Sequence, residues 1–491
     1  MSRMTPESRE RARAAAEADD ATRGSAIKLA AEIGSRLLLL ATTLLLARGL
    51  VVEEYGAYGR LSAYALLLAE LAELGLQLTA TRALVAGTMS LRALVRARLA
   101  LFLVFAILIV LVAGLVAAGP HAGRLQPLVL ALLVFYFALS GWGEFLGVAL
   151  RCRGARVQEA LVLLVLRAVG LALVAVLLDR GGDLTAVAAG LAVSPVPALM
   201  LGAWLLRRGR PALAAPEASV PSVLLASAPL AVYSGLLLLS PRVEFIVFSM
   251  IRDDHATGLF FASVQVLWFL AMMPAAIAAG AMPALTREAL EGGATVRQRT
   301  ATTLALLAAP AGVGLILVAP GMLGLLFGSE YQVAAPSLRV LGLAVVPVFM
   351  NGLVTWSLIA AGRSSWLPGL VAIRVAAAFA FAWTLVPRFG APGAAAGLVL
   401  AECLLLLLGV RAGVAARFAV PVGRAIVVAL LATVPMALAV WGVRDTLVLA
   451  LGVGVLTYAA TLAAAWQLFP GLAGPLLGAG ATGSADAGPR R

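Results

Sequence analysis

The chain has 491 residues, of which 62% are hydrophobic and 12% are charged, and its mean hydropathy is +1.01. Soluble domains contain about 25% charged residues and about 45–50% apolar ones, so lipid must be the solvent for most of this chain. The composition excludes a soluble enzyme, a nucleic-acid-binding domain and a disulfide-stapled secreted module. The net charge of +13 comes from arginine, since Lys28 is the only lysine.

A membrane-spanning helix needs about 20 mostly apolar residues. The sequence predicts an all-α polytopic membrane protein with polar cytosolic tails at 1–24 and 469–491 and short loops between its spans. About fourteen segments meet the length requirement, at roughly 25–50, 57–81, 99–119, 126–150, 157–178, 185–206, 221–250, 256–285, 300–326, 335–361, 366–386, 392–410, 424–441 and 446–468.

Arginines are divided unequally between the two sets of loops. With the N-terminus inside, 24 arginines fall in the inner segments and 8 in the outer ones. Because cytoplasmic loops collect Lys and Arg, this division predicts an N-in, C-in topology. It also favours an even number of spans, since one missed span would invert every later loop.

Two short motifs recur six spans apart. Residues 53–58 (EEYGAY) and 253–260 (DDHATGLF) both contain two acids followed by Gly-x-aromatic, and Thr-Arg at 81–82 returns at 286–287. Six is an even number of spans, so both halves have the same orientation. The motifs therefore predict a parallel repeat about an axis along the membrane normal, a plan found in transporters.

Several motifs match a known family. Residues 45–58 resemble the first hairpin of the polysaccharide transporter family, the lipid-linked oligosaccharide (O-antigen type) flippases. PRVEF at 241–245, followed by Gly-x-aromatic at 258–260, resembles its seventh span and the next loop. FGSEY and the residues after it at 327–341, with AGR at 361–363, resemble the loop before its tenth span and the end of that span.

The resemblance covers roughly residues 25–420. It implies the multidrug/oligosaccharidyl-lipid/polysaccharide exporter superfamily and a MATE-like fold, with two six-helix lobes at 25–206 and 221–410 around a central cavity and a helix pair at 424–468. The implied function is translocation of an isoprenoid-(pyro)phosphate-linked glycan precursor across the bacterial cytoplasmic (inner) membrane by alternating access. Proton or sodium coupling and polysaccharide-assembly enzymes as partners belong to this expectation. Glu244 departs from the family, where aspartate is commoner.

Ionisable and polar residues inside apolar spans point to function because they are costly there. Arg36, Arg242 and Arg374 lie in the first, seventh and eleventh spans, and Asn351 lies in the tenth. A guanidinium offers phosphate oxygens a bidentate partner. These four residues are the predicted substrate-binding residues. For Arg242, pairing with Glu244 is an equally good interpretation.

Four carboxylates are the predicted ion-coupling groups, because their titration would let a proton or sodium gradient reset the carrier. They are Glu32, Glu70, Glu73 and Glu244. Glu32 shares a helix face with Arg36 at i, i+4 spacing and is expected to pair with it. Glu70 and Glu73 are three positions apart, so like-charge repulsion leaves a second interpretation, a neutral acid that hydrogen bonds between helices.

The sequence shows no motif for a cofactor or for catalysis. His121 and His255 lie far apart in predicted outer loops, which argues against a metal site, and Lys28 does not complete a phosphate-binding loop. We therefore expect no enzyme activity, no cofactor and no nucleic-acid partner. Three alternatives remain: a cation-coupled multidrug exporter of the same superfamily, a membrane polysaccharide polymerase or ligase, and a pseudo-transporter that serves as a scaffold.

Overall fold

The computed structural model describes residues 30–117, 126–208 and 216–468. The predicted polar tails lie outside the described residues. Every regular element within the described residues is helical. In chain order the helices are α1 (Ala30–Gly49), α2 (Val52–Glu73), α3 (Leu76–Ala86), α4 (Leu91–Ala117), α5 (Pro127–Cys152), α6 (Arg156–Asp179), α7 (Leu184–Val193), α8 (Val196–Arg208), α9 (Val220–Leu239), α10 (Val243–Ile251), α11 (Asp254–Leu270), α12 (Met272–Glu291), α13 (Thr295–Leu326), α14 (Ala335–Gly342), α15 (Val345–Ala360), α16 (Leu367–Ala415), α17 (Val422–Val443) and α18 (Leu447–Leu468).

The predicted all-α membrane architecture is confirmed. Twelve helices of the described chain are long and apolar enough to cross a membrane, or thirteen when the bent pair Ser329–Gly342 and Val345–Ala360 counts as one span. That number counts α16 once, although α16 has 49 residues. A straight helix of this length would extend about 73 Å, more than twice the roughly 30 Å of the hydrocarbon core.

α16 is a hairpin rather than a straight helix. Gly390 interrupts it with φ +60° and ψ −136°, a conformation open to glycine alone among common residues. A Cβ added at Gly397 would lie 3.2 Å from the backbone nitrogen of Ala382, whereas fifteen residues of straight helix would separate these positions by about 22 Å. The two arms correspond to the eleventh and twelfth predicted spans, and the prediction of fourteen spans rests on counting them separately.

The chain divides into two compact units, Met1–Leu238 and Leu239–Arg491. The division falls inside the predicted seventh span, where α9 gives way to α10 through a 3-10 turn at Ser240–Arg242. Pro241 lies in that turn. Since proline lacks the amide hydrogen that a continuing helix needs, the break has a local cause.

In the first unit, α5 is the central helix and packs against α2, α3, α4, α6, α7 and α8. Small residues such as Gly141 and Gly147 on its buried face allow this close packing. α2 and α3 form one predicted span that breaks at Leu74 and Gly75, both of which have positive φ. A Cβ at Gly75 would lie 2.6 Å from the backbone nitrogen of Ala231, so α9 passes directly over the break.

In the second unit, α13 is the central helix and packs against α12, α14, α15, α17 and α18. α17 and α18 also pack on each other, as the predicted helix pair at 424–468. Val318 interrupts α13 with non-helical dihedral angles two residues before Pro320. α13 therefore supports both the bent pair and the C-terminal pair of the second unit.

The repeated motifs have matching local structure in the two units. Asp253 caps α11 by accepting a hydrogen bond from the Ala256 amide at 2.9 Å, and Glu53 lies in the first turn of α2, where the helix dipole favours an acid. Thr81 and Thr286 each donate to the carbonyl four residues earlier. The motif acids thus help to start helices, and superposition of the predicted lobes stays a prediction.

Arg60 and Arg98, which the topology count assigned to loops, are buried inside helices. Arg60 belongs to α2 and Arg98 to α4, and both are almost fully buried. Arg60 lies within the predicted second span, 57–81, and was wrongly counted with the loop before it. The assignment of Arg98 to a loop was wrong because α4 begins at Leu91, eight residues before the predicted third span. The excess of arginine in the predicted inner segments remains without them.

Candidate functional site

The first unit contains a buried ion pair between α2 and α4. Glu73 pairs with Arg98, whose side chain is 2% exposed. The Arg98 guanidinium lies 5.2 Å and 5.0 Å from the ring centroids of Trp142 and Phe145, which adds cation–π attraction. A Cβ at Gly141 would overlap the Glu73 carboxylate and lie 3.0 Å from Arg98 Nη2. The missing side chain at Gly141 therefore makes room for the pair.

A second pair in this unit joins α5 and α6. Arg167 Nη2 donates to Glu144 Oε1 at 3.0 Å, and the guanidinium also hydrogen bonds with Tyr136. Arg167 therefore has two partners on α5 and serves as an internal link between helices.

Glu70 lies between these two pairs. Its carboxylate hydrogen bonds with Ser234 of α9, and it is within electrostatic range of Arg98 and Glu144. We call these five ionisable groups the first-unit network: Glu70, Glu73, Arg98, Glu144 and Arg167. When all five are ionised, three carboxylates face two guanidinium groups. Uptake of one proton or one monovalent cation would then neutralise the network.

The second unit brings three of the predicted site residues together around a fourth residue, Glu402. Arg374 Nη2 lies 3.0 Å from Glu244 Oε1 and 3.0 Å from Glu402 Oε1. Asn351 Nδ2 donates to Glu402 Oε2 at 2.7 Å and to the Glu402 carbonyl at 3.0 Å. We call Glu244, Asn351, Arg374 and Glu402 the second-unit network. It too has one carboxylate more than it has guanidinium groups.

Burial sets the second-unit network apart from an open binding surface. The side chains of Arg374 and Glu244 are each 1% exposed. In this conformation the Arg374 guanidinium lies between the carboxylates of Glu244 and Glu402, and a phosphate would have to displace a carboxylate to reach Arg374. Glu402 was not among the predicted site residues. It lies in an apolar span, where an ionisable side chain costs free energy as it does for the predicted residues, and this signal could have identified it.

Arg242 contacts an aromatic ring. Its guanidinium lies 5.3 Å from the ring centroid of Trp268 on α11, while Glu244 pairs with Arg374. Arg242 thus has an aromatic face as a neighbour. Its role in substrate binding stays a prediction.

The predicted pair between Glu32 and Arg36 is confirmed, with Arg36 Nη2 2.9 Å from Glu32 Oε1. Its surroundings differ from those of the two networks, because the side chains are 47% and 40% exposed. A charged group facing hydrocarbon costs several kcal/mol. The exposed face of this pair is therefore suited to water or to a polar ligand.

The described residues offer no site for a metal ion built from three or more His, Cys, Asp or Glu side chains. The two networks and the Glu32–Arg36 pair join arginine with glutamate side chains. Such groups can hold protons or monovalent cations, and they can exchange a carboxylate partner for a phosphate.

Residues 21–288 match the model of a family described as "Polysaccharide biosynthesis protein". No curated protein matches the chain. Among solved structures, the lipid II flippase MurJ in an inward closed conformation is similar with a TM-score of 0.74 and 12% identity, over 91% of this chain and 99% of that one. An inward-facing multidrug resistance MATE family transporter of the MOP superfamily has a TM-score of 0.59 and 16% identity, over 80% and 98%. A MOP superfamily transporter from Pyrococcus furiosus has a TM-score of 0.50 and 16% identity, over 81% and 96%.

At these identities the solved structures establish the fold, and the matched family model covers more than half of the chain. The predicted MATE-like fold and the resemblance to polysaccharide transporters are both confirmed. The chain is a multi-pass membrane protein that belongs to the polysaccharide biosynthesis protein family and has the fold of the MOP superfamily.

Proposed function

We propose that this protein is a flippase that translocates an isoprenoid-(pyro)phosphate-linked oligosaccharide or polysaccharide precursor across the bacterial cytoplasmic membrane. Alternating access would carry the glycan, and an ion gradient would drive the cycle. Support comes from the polysaccharide biosynthesis family and from a fold that the lipid II flippase MurJ shares. The observation that carries the proposal is the exposed ion pair of Glu32 and Arg36 inside an apolar helix.

Arg36 has the properties that a phosphate-binding group in a membrane needs. A guanidinium presents a planar fork of donors that matches two phosphate oxygens at once. Arg36 is half-exposed, whereas Arg374 is buried between two carboxylates. Of these two predicted substrate ligands, Arg36 is the one that a lipid pyrophosphate reaches without breaking a buried network.

Glu32 stabilises the substrate-free state of the carrier. It neutralises Arg36 at 2.9 Å when no substrate is bound. An arriving pyrophosphate competes for the same guanidinium and releases the Glu32 carboxylate, which then becomes available to the coupling ion. Binding of the substrate and binding of the coupling ion thereby favour each other, and such coupling is reciprocal by linkage.

The two networks are the proposed ion-coupling groups. Glu70 and Glu73 belong to the first-unit network and Glu244 to the second. Each network has one carboxylate in excess, so the protonated or cation-bound form carries no net charge inside the membrane. A gradient of protons or sodium ions would load and unload these groups during the cycle.

The multidrug-exporter alternative shares the fold, as the MATE transporter shows. A site for cationic drugs should favour acids and aromatic rings over arginine. Arg36 instead presents a half-exposed guanidinium group within the first span. This favours an anionic substrate.

Transport in cells tests the role of Arg36. We expect Arg36→Ala to abolish appearance of the glycan lipid in the outer leaflet and Arg36→Lys to impair it, because a point charge lacks the planar fork. Variants are compared at matched membrane levels, with Arg180→Ala, an exposed arginine that follows α6, as the control. Full activity of Arg36→Ala would contradict the proposal.

A further inference from the structure

Five arginines gather at one end of the first unit, and the proposed transport function does not use them. They come from the turn between α5 and α6 and from the last turn of α8. We call this set the arginine surface: Arg151, Arg153, Arg156, Arg207 and Arg208.

Two hydrogen bonds hold the arginine surface together. Arg153 Nη1 donates to the Leu206 carbonyl at 2.8 Å, which ties the turn to the end of α8. Arg151 Nε donates to Glu159 Oε1 at 2.8 Å, and its Nη2 lies 2.6 Å from the same oxygen. The Arg153 bond joins two segments that are 53 positions apart in the chain, and the Arg151 bond fixes the turn itself.

The two segments that form the surface carry a net positive charge, with five arginines and one acid. Glu159 is the one acid within 151–160 and 196–208, and it is buried and bonded to Arg151. Arg156, Arg207 and Arg208 are exposed. The surface therefore attracts an anion.

Apolar side chains continue from the arginines along the same two helices. Val157 and Leu161 are exposed on α6, and Met200 and Trp204 are exposed on α8. Each pair has i, i+4 spacing and so forms a stripe on its helix. The Arg208 guanidinium lies 4.2 Å from the Trp204 ring centroid, an arrangement typical of the membrane–water interface.

We propose that the arginine surface binds an anionic phospholipid of the surrounding membrane, with the headgroup phosphate on the arginines and the acyl chains along the two apolar stripes. A free anion would use the arginines and leave the stripes without a role, whereas an anionic lipid uses both. Basic groups at the membrane surface attract such lipids with about 1 kcal/mol per residue. The inference holds whichever substrate the protein transports.

The test measures which lipids stay bound to the full-length protein. The protein is purified from an equal mixture of phosphatidylglycerol and phosphatidylcholine, and retained lipids are quantified by mass spectrometry. We expect the wild type to enrich phosphatidylglycerol, and Arg156→Gln/Arg207→Gln/Arg208→Gln to lose at least tenfold of that enrichment, since each arginine is worth about fivefold. Single substitutions of Arg207 and Arg208 should each lose about fivefold, which keeps the test decisive if the triple variant is unstable.

A matched control removes the same charge elsewhere. Arg180→Gln/Arg339→Gln/Arg388→Gln also replaces three exposed arginines and should keep the wild-type enrichment. Equal loss in both triple variants would mean that net charge alone attracts the lipid, and the proposal would fail. It would also fail if the wild type retained both lipids equally, or if excess soluble pyrophosphate displaced the phosphatidylglycerol.

Discussion

Arg374 and Glu402 are 28 positions apart in the sequence, yet Arg374 Nη2 lies 3.0 Å from Glu402 Oε1. They lie on the two arms of α16, which the turn at Gly390 brings side by side. Arg374 also reaches Glu244 of α10. One guanidinium thus connects the seventh, eleventh and twelfth predicted spans.

The hairpin depends on the backbone conformation of Gly390. Alanine at φ +60° and ψ −136° would be strained, so we expect Gly390→Ala to lower the free energy of unfolding by about 1–3 kcal/mol. Denaturant titration of the purified protein measures the change. Gly423→Ala in α17 is the control, since a Cβ there meets no atom within 4 Å. Equal stability of the two variants would contradict the strained turn.

The hairpin also makes a topological prediction. If α16 forms two spans, Arg363 and Arg417 lie on the same side of the membrane, and Gly390 lies on the other. Single cysteines introduced at these positions, in a chain whose Cys152 and Cys403 are replaced by serine, should react accordingly with a membrane-impermeant reagent. Labelling of Arg363→Cys and Arg417→Cys from opposite sides would show that α16 crosses once.

Removing Arg98 should destabilise the first unit strongly. Arg98→Ala leaves the Glu73 carboxylate buried without its ion pair, a change that costs about 3–5 kcal/mol. The control is Arg96→Ala on the same helix. Arg96 pairs with Glu217, and the side chains of both residues are 63% exposed, so this pair contributes about 0–1 kcal/mol. Unfolding free energies of both variants are compared. Replacing Glu73 by alanine as well should recover part of the loss, and a double variant worse than the sum of the singles would contradict the pairing.

How much of the site was predictable depended on how far apart its members lie in the chain. The pair of Glu32 and Arg36 follows from i, i+4 spacing alone, and the structure confirms it. The partner of Glu73 is 25 positions away, beyond any local rule. In the sequence Arg98 follows Arg92 and Arg96 closely, so the hydropathy of this segment predicted that Arg98 lies in a loop outside the membrane. Only packing of α4 on α5 shows that it is internal.

The fold was more accessible than the site. Apolar segments of about 20 residues mark spans directly, and turn residues such as Pro241 mark breaks. The meeting of Glu244, Asn351 and Arg374 was not predictable in detail, because it needs the register of three helices and the turn at Gly390.

Ion coupling through the second-unit network makes a prediction for Glu244→Gln. The substitution removes one negative charge and leaves Arg374 balanced by Glu402 without any bound proton or cation. Transport by this variant should no longer respond to an imposed proton or sodium gradient, as measured in vesicles with and without the gradient. Glu330→Gln, an exposed acid in the turn before α14, should keep the wild-type response. Gradient-driven transport by Glu244→Gln would remove Glu244 from the coupling groups.

Flippase activity itself is tested most directly with purified protein in vesicles that contain a lipid-linked oligosaccharide. The measurement is the fraction of glycan that becomes accessible, over time, to a lectin that cannot cross the membrane. We predict that the wild-type protein exposes glycan from the inner leaflet, that Arg36→Lys is slower, and that Arg36→Ala is no faster than protein-free vesicles. Wild-type vesicles that expose glycan no faster than protein-free vesicles would contradict the proposed function.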